Sequence, residues 1–235
     1  MIYHSAIFYP EDKDELRKLA SIDERKEEGS AFILPQMMLS RSAFLYRQVF
    51  GRISDGREIT LIVPLRREML EKDRGSLFFQ PEPRTEHFFT GDIRILDSGL
   101  PISREYEAEE YGQELLYPFI SIDNPHSALR VVYSSAVSSE DVKKLEALLR
   151  RFSGSVFIIA SNMTGPTDKP DDDTQKMISL LESGERLLDL YRKRLISCPG
   201  TPAIEAVSRI LPGRWELLGR TEGDKAAGHA ALMRK

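Results

Sequence analysis

The sequence has a single cysteine, Cys198, so the chain can form no disulfide bond within itself. Lone cysteines are typical of proteins in a reducing compartment, and we therefore expect a cytoplasmic protein. No apolar run approaches the roughly 18 residues that a membrane-spanning helix needs, so we expect no membrane association of that kind. The start, Met1-Ile2-Tyr3-His4-Ser5-Ala6, lacks a charged beginning and a long apolar core, so we expect no signal peptide.

An excess of positive charge is also missing. The net charge of −4 and the pI of about 5.7 argue against nucleic acid as a partner. Histidine is scarce as well, and none of the four forms a close-spaced pair of the kind that binds a metal ion. The spacing therefore predicts no metal site and no cofactor. The four are His4, His87, His126 and His229.

Short apolar runs, each followed by polar residues, are the main feature that the sequence does have. They cover residues 31–34, 58–63 and 155–160, and they have the continuous apolar character of parallel strands that are buried on both faces. Amphipathic helical patterns separate them, for example over residues 139–152. The sequence predicts an α/β fold, with one three-layer αβα domain over residues 1–235 and a central mixed, mostly parallel sheet.

Two regions give weaker patterns. Residues 66–99 contain candidate strands at 76–79 and 91–95, but two prolines between them demand a loop. We interpret this region as an excursion away from the main sheet. Residues 103–119 predict one continuous helix, with its acidic residues near the start, where the helix dipole favours them.

The candidate site follows from the predicted sheet. In open α/β sheets, the loops after the carboxyl ends of the strands carry the site. Gln36, Arg66, Arg67 and Asn162 each follow a predicted strand, and Cys198 lies in a turn late in the chain. If these loops converge, these five side chains and Glu114 border one cleft.

Two of these positions have more than one interpretation. The guanidinium pair of Arg66 and Arg67 suits an anion such as a phosphate or a carboxylate. The same pair could instead be solvated and bridged to Glu68 or Glu71. Cys198 could be a metal ligand or a nucleophile, but a buried, unreactive thiol is the more common case.

Three other patterns suggest chemistry less specifically. Glu110 and Glu114 lie four residues apart in the predicted helix and could act as an acid–base pair, although a solvated acidic face is more common. The acidic run 171–173 could hold a cation, but such runs more often favour the start of a helix. Ser161 has no base partner in the sequence, so a serine nucleophile has little support.

The chain resembles the Memo family, also called AmmeMemoRadiSam system protein B, in the order and spacing of several short motifs. Ile33-Leu34-Pro35-Gln36-Met37 stands where the family has APHAG, and Leu61-Ile62-Val63-Pro64-Leu65-Arg66-Arg67 stands where it has LGPSHH. Near the start, Ala6-Ile7-Phe8-Tyr9-Pro10 with Asp14-Glu15-Leu16 is similar to the family motif AGxFYP…ELxxxL. In the middle of the chain, the segment that begins Glu110-Tyr111-Gly112-Gln113-Glu114 is similar to EHSxExxLPF, and Ala160-Ser161-Asn162-Met163-Thr164-Gly165 is similar to SSDxSH. Towards the end, Ser197-Cys198-Pro199-Gly200-Thr201-Pro202 is similar to CGxxPI, and Gly223-Asp224 with Ala227-Gly228-His229-Ala230-Ala231 is similar to SGD…VGYAA.

The resemblance implies a fold similar to that of the class III extradiol dioxygenases, but the metal-site histidines of the family are replaced. Gln36 occupies the position of one of these histidines, and Arg66 and Arg67 occupy the positions of two others. In the segment that matches SSDxSH, Asn162 replaces the aspartate and Gly165 replaces the histidine. Arginine is cationic and cannot replace imidazole as a ligand. The replacement of two histidines by arginines converts a cation site into a candidate anion site. Of the family's functional positions, Glu114 and Cys198 persist.

Three functions remain open from the sequence. The first is a non-catalytic Memo-like protein that binds a partner or a small anionic ligand in the old cleft, for which the resemblance implies a radical SAM protein and an AMMECR1-domain protein as partners. The second is a metal-dependent oxidoreductase with a rebuilt ligand set of Cys198, Glu114 and His126. The third is a metal-independent hydrolase or transferase that uses Cys198, for which the sequence identifies no base.

Overall fold

The structure is a computed structural model that describes residues 2–22, 24–65, 76–222 and 227–235. The strands of the described residues are β1 (Ala31–Leu34), β2 (Glu58–Pro64), β3 (Phe78–Phe79), β4 (Arg84–Phe88), β5 (Gly91–Leu96), β6 (Ala128–Ser134), β7 (Val156–Ala160), β8 (Trp215–Arg220) and β9 (Ala230–Arg234). The α-helices are α1 (Lys13–Ala20), α2 (Leu39–Phe50), α3 (Arg104–Glu109), α4 (Tyr117–Asp123), α5 (Ser139–Arg150), α6 (Pro170–Ser183), α7 (Leu187–Arg192) and α8 (Thr201–Ile210), with a short 3₁₀ helix at Glu114–Leu116.

All of these strands belong to one mixed sheet. Its order is β4-β5-β6-β2-β7-β1-β9-β8, and β3 pairs with the end of β6. The neighbouring strands β5, β6, β2, β7 and β1 pair in parallel, while the outer pairs are antiparallel. The predicted α/β fold with a mixed, mostly parallel sheet is therefore confirmed.

The central strands are buried because both faces of the sheet carry helices. Leu34, Leu61 and Ile158 face a cluster that includes α2 and α4, whereas Ile33 and Ile159 face a cluster that includes α5, α6 and α8. Burial on both faces explains why these strands are apolar at every position rather than at alternate positions. Among the residues that the structure describes, no helix has the length and apolar character that crossing a bilayer requires.

The interpretation of residues 66–99 as an excursion is wrong for the part that the structure describes. β5 pairs with β6 in parallel, β4 pairs with β5, and β3 extends the other end of β6, so all three strands belong to the main sheet. β4 lacks a clear strand pattern because one of its inward positions holds Glu86 rather than an apolar residue. Residues 66–75 lie outside the described residues.

The continuous helix expected over residues 103–119 is also wrong. α3 ends at Glu109, and the capping residue Glu110 has an extended backbone with φ −100° and ψ 107°. A turn at residues 111–113 follows before the 3₁₀ helix and α4 begin. Glu110 and Glu114 therefore do not share one helix face, and the basis for reading them as an acid–base pair is lost.

Candidate functional site

At the carboxyl edge of the sheet, the connections that follow the paired strands β1 and β7 diverge. The helix after β1, α2, packs on one face of the sheet, and the helix after β7, α6, packs on the other. Connections that diverge in this way leave a crevice at the strand ends, which is the usual position of a binding site in this class of fold. The crevice lies where the polar residues after both strands emerge.

Gln36 and Asn162 meet at this crevice. The backbone N–H of Gln36 donates to Oδ1 of Asn162 at 3.0 Å, which joins the loop after β1 to the loop after β7. The side-chain Nε2 of Gln36 is buried and makes no hydrogen bond within the described residues. It lies under Gly112, where a Cβ would come within 2.7 Å of that nitrogen, so the turn at 111–113 packs directly on the crevice.

Cys198 lies beneath Asn162 and is fully buried. Its Sγ donates to the carbonyl of Asn162 at 3.3 Å and lies 3.6 Å from Oγ of Ser161. The Ser161 hydroxyl in turn donates to the Asn162 carbonyl at 2.9 Å and accepts the Gly200 N–H at 2.8 Å. Burial raises the pKa of the Cys198 thiol above its ordinary value, despite hydrogen bonds that act in the opposite direction.

We expect the Cys198 thiol to react slowly in the folded protein, because it is buried and the raised pKa favours the protonated form. Alkylation by iodoacetamide at pH 8 should be at least about tenfold slower than in denaturant, where a free cysteine pKa of about 8.5 applies. A Cys198→Ser, Ser183→Cys variant places the thiol on the surface as a control. Equal rates for the native and the denatured wild type would contradict this description of the site.

The carboxylate of Glu114 is engaged in hydrogen bonds with the start of the chain. This carboxylate is fully buried and accepts the N–H groups of Tyr3 at 2.9 Å and His4 at 3.0 Å. The hydroxyl of Tyr9 donates to the same carboxylate at 2.7 Å. The group therefore fixes the start of the chain, whose Phe8 ring stacks on Tyr111 with 3.9 Å between ring centroids.

The structure does not bring together the rebuilt ligand set of Cys198, Glu114 and His126. His126 comes just before β6, at the amino edge of the parallel strands, and its Nδ1 lies 2.5 Å from Oδ2 of Asp55. Cys198 lies below the loop after β7, at the opposite edge. Across the described ranges, we find no group of three or more His, Cys, Asp or Glu side chains with the arrangement of a metal site.

Arg66 and Arg67 lie outside the described residues, so their placement relative to the crevice is still a prediction. The acidic run 171–173 occupies the first turn of α6. Asp173 accepts a hydrogen bond from the Thr167 hydroxyl at 2.6 Å, so it stabilises the loop before that helix.

A cavity that the sequence did not reveal lies beside the crevice. It has a volume of about 180 Å³, and Met163, Lys176, Arg194 and Ser197 are among the residues that line it. Lys176 Nζ donates to the carbonyl of Leu195 at 2.9 Å, which holds the ammonium group in the wall. Arg194 is exposed and has the left-handed backbone conformation, with φ 57°.

The two cations of this cavity come from different parts of the chain. Lys176 is on α6, and Arg194 follows α7, so only the tertiary fold makes them neighbours of the loop after β7. Asp173 also lines the cavity. The cavity thus presents two cationic side chains and one carboxylate, which gives it a net positive charge at neutral pH.

No protein-family model matches the sequence, and a search of curated proteins finds no significant match.

Proposed function

We propose that this chain is a Memo-like binding protein that takes a small anionic ligand at the carboxyl edge of its sheet and carries out no chemistry on it. One observation carries the proposal, namely the cavity of about 180 Å³ beside the crevice, with Lys176 and Arg194 in its walls. Such a cavity is smaller than most sites for drug-sized molecules, which have about 300–1,000 Å³. A small carboxylate or phosphate fits both its size and its charge.

The polar groups around the crevice support a binding role rather than catalysis. Asn162 and Gln36 carry neutral amides, which do not titrate and can neither accept a proton as a base nor attack as a nucleophile. The thiol of Cys198 is buried and protonated at neutral pH, and Glu114 holds the start of the chain. What these side chains can offer a ligand is shape and hydrogen bonding.

The proposal includes the arginine pair that the sequence analysis singled out. Arg66 and Arg67 follow β2, which is the neighbour of β7 in the sheet. If they turn towards the same edge, they add two guanidinium groups to the cations of the cavity. By resemblance alone, a radical SAM protein and an AMMECR1-domain protein are the partners to test by co-purification.

We expect the double variant Lys176→Gln, Arg194→Gln to bind phosphate or malonate at least about tenfold more weakly than the wild type. The reason is that a hydrogen bond to a charged group contributes about 1.5–3 kcal/mol. Isothermal titration calorimetry at constant ionic strength measures the change. Lys193→Gln is the matched control, since Lys193 is exposed, adjacent to Arg194 and absent from the cavity lining.

Charge reversal tests the arginine pair separately. Arg66→Glu, Arg67→Glu should weaken the same anions, while Lys143→Glu, Lys144→Glu reverses two exposed charges on α5 and should not. Equal effects of the two reversals would assign the binding to general electrostatics and contradict a site at Arg66 and Arg67. Anion binding unchanged by Lys176→Gln, Arg194→Gln would contradict the cavity.

A further inference from the structure

A groove of about 430 Å³ opens at the amino edge of the sheet, at the opposite end from the crevice. It is formed by residues at the starts of β2 and β6 and by the turn that leads from α5 into β7. Arg57, Arg130 and Arg151 are among the residues that line it, with Glu58 as an acidic member. Its volume is in the range of about 300–1,000 Å³ that is usual for small-molecule sites.

Two of these arginines are held by the same aromatic ring. The guanidinium carbon of Arg130 lies 4.4 Å from the centroid of the Phe152 ring, and that of Arg151 lies 5.5 Å from it. Attraction between a cation and the face of an aromatic ring orients guanidinium groups at such distances. The ring thus keeps two positive charges close together, although like charges repel each other.

The acidic groups nearby satisfy only part of this charge. Arg130 Nη2 lies 3.3 Å from Oε2 of Glu58, and its Nη1 donates to the backbone carbonyl of Asp97. The carboxylate of Asp97 accepts hydrogen bonds from Gln80 at 2.8 Å and from the N–H of Gly99 at 2.7 Å, and it also attracts Arg130 electrostatically without a direct ion pair within the described residues.

Donors remain on both guanidinium groups. The Nε–H of Arg130 is buried and makes no hydrogen bond to any described residue. No carboxylate of the described residues lies within ion-pair distance of Arg151. Arg57, by contrast, lies 3.4 Å from Glu28, which accounts for its charge. Arg151 is exposed, so its donors are open to a ligand in the groove.

We propose that this groove binds the phosphate group of a small molecule, through Arg151 and Arg130. Guanidinium forks match the geometry of phosphate oxygens. The negative charge of the phosphate compensates the positive charge of Arg130 and Arg151 that Glu58 does not balance. The groove is too large for inorganic phosphate alone, so the remaining volume accommodates the organic part of the ligand. The site is independent of the cavity at the carboxyl edge.

The test uses calorimetric titration with inorganic phosphate and with ribose 5-phosphate at constant ionic strength. It is made in the Lys176→Gln, Arg194→Gln background, which removes the cations of the other edge. Arg151→Gln should weaken binding at least about tenfold, because it removes an exposed charged donor from the groove. Glu58→Gln should tighten binding, because it removes the competing carboxylate.

Arg150→Gln is the matched control, since Arg150 is the preceding residue, is exposed and pairs with Glu146 at 2.7 Å outside the groove. Tighter binding of ribose 5-phosphate than of inorganic phosphate would support an organic phosphate, and equal binding would support the phosphate group alone as the determinant. Absence of binding for both probes would overturn the proposal. Equal weakening by Arg150→Gln and Arg151→Gln would also overturn it.

Discussion

Replacing Glu114 by alanine should lower the free energy of unfolding by about 3–5 kcal/mol, because a buried carboxylate that accepts three hydrogen bonds is removed. The carboxylate accepts hydrogen bonds from the N–H groups of Tyr3 and His4 and from the hydroxyl of Tyr9. All three donors lose their acceptor at once, and a buried donor without an acceptor costs about 1–3 kcal/mol. Urea denaturation followed by circular dichroism measures the loss.

Glu114→Ala should also loosen the start of the chain more than the rest of the fold. Because the donors belong to the start of the chain, amide hydrogen exchange over residues 3–9 should increase more than exchange in β1 or β7. Glu182→Ala is the control, since Glu182 is exposed on α6. The free energy of unfolding of this variant should stay within about 0.5 kcal/mol of the wild-type value. Similar effects of the two substitutions would contradict the anchoring role of Glu114.

Replacing Arg84 by methionine should also cost about 3–5 kcal/mol. Its guanidinium lies between the buried carboxylates of Glu86 and Glu107, with 2.5 Å to Glu86 and a still closer contact to Glu107. Methionine fills much of the volume but leaves two buried carboxylates without the cation that compensates them. Arg104→Met is the control, because Arg104 pairs with Glu82 at 2.9 Å on the surface, where such pairs contribute about 0–1 kcal/mol.

The pH dependence of Arg84→Met has a predictable sign. Burial alone would raise the pKa of Glu86, but hydrogen bonds, including the one from Arg84, outweigh it and hold the pKa below its ordinary value. The resulting stability is present above the ordinary value, about pH 4.3, and is lost as the pH falls through the lowered pKa. Without Arg84 the Glu86 carboxylate protonates more easily, so the cost of Arg84→Met should be smaller at pH 4 than at pH 7. A cost that grows on acidification would contradict the cluster.

The sequence predicted the sheet best where local pattern and burial agree. The run Ala31–Leu34 is apolar at every position and is a strand buried on both faces, as expected. The predicted helix over 139–152 corresponds to α5, Ser139–Arg150, whose start is fixed by a hydrogen-bonded pair of Ser138 and Asp141. In both segments the local preference and the tertiary environment favour the same structure.

The errors occurred where tertiary contacts override the local pattern. β4 was missed because its inward Glu86 is paired with Arg84, which also pairs with Glu107, and no alternation of apolar residues reveals such a cluster. The helix over 103–119 was overextended because the turn at Gly112 is set by its close packing on Gln36, a residue far away in the sequence.

Sequence reasoning brought two of the candidate residues together but did not predict the cavity or the groove. The rule that loops after parallel strands carry the site led to Gln36 and Asn162, which the structure joins by a hydrogen bond. The cavity cations Lys176 and Arg194 were not foreseen, since each looks like an ordinary surface charge in the sequence. The groove at Arg151 was also missed, because it forms at the edge that this rule does not consider.

The measurement that tests the proposed anion site most directly is a crystal structure of the protein soaked in tungstate, with anomalous scattering used to locate the ion. Tungstate has the tetrahedral shape and charge of a phosphate. The account predicts an anomalous peak in the cavity between Lys176 and Arg194, and its loss in crystals of Lys176→Gln, Arg194→Gln. Wild-type crystals that take up tungstate elsewhere but show no peak in this cavity would contradict the account.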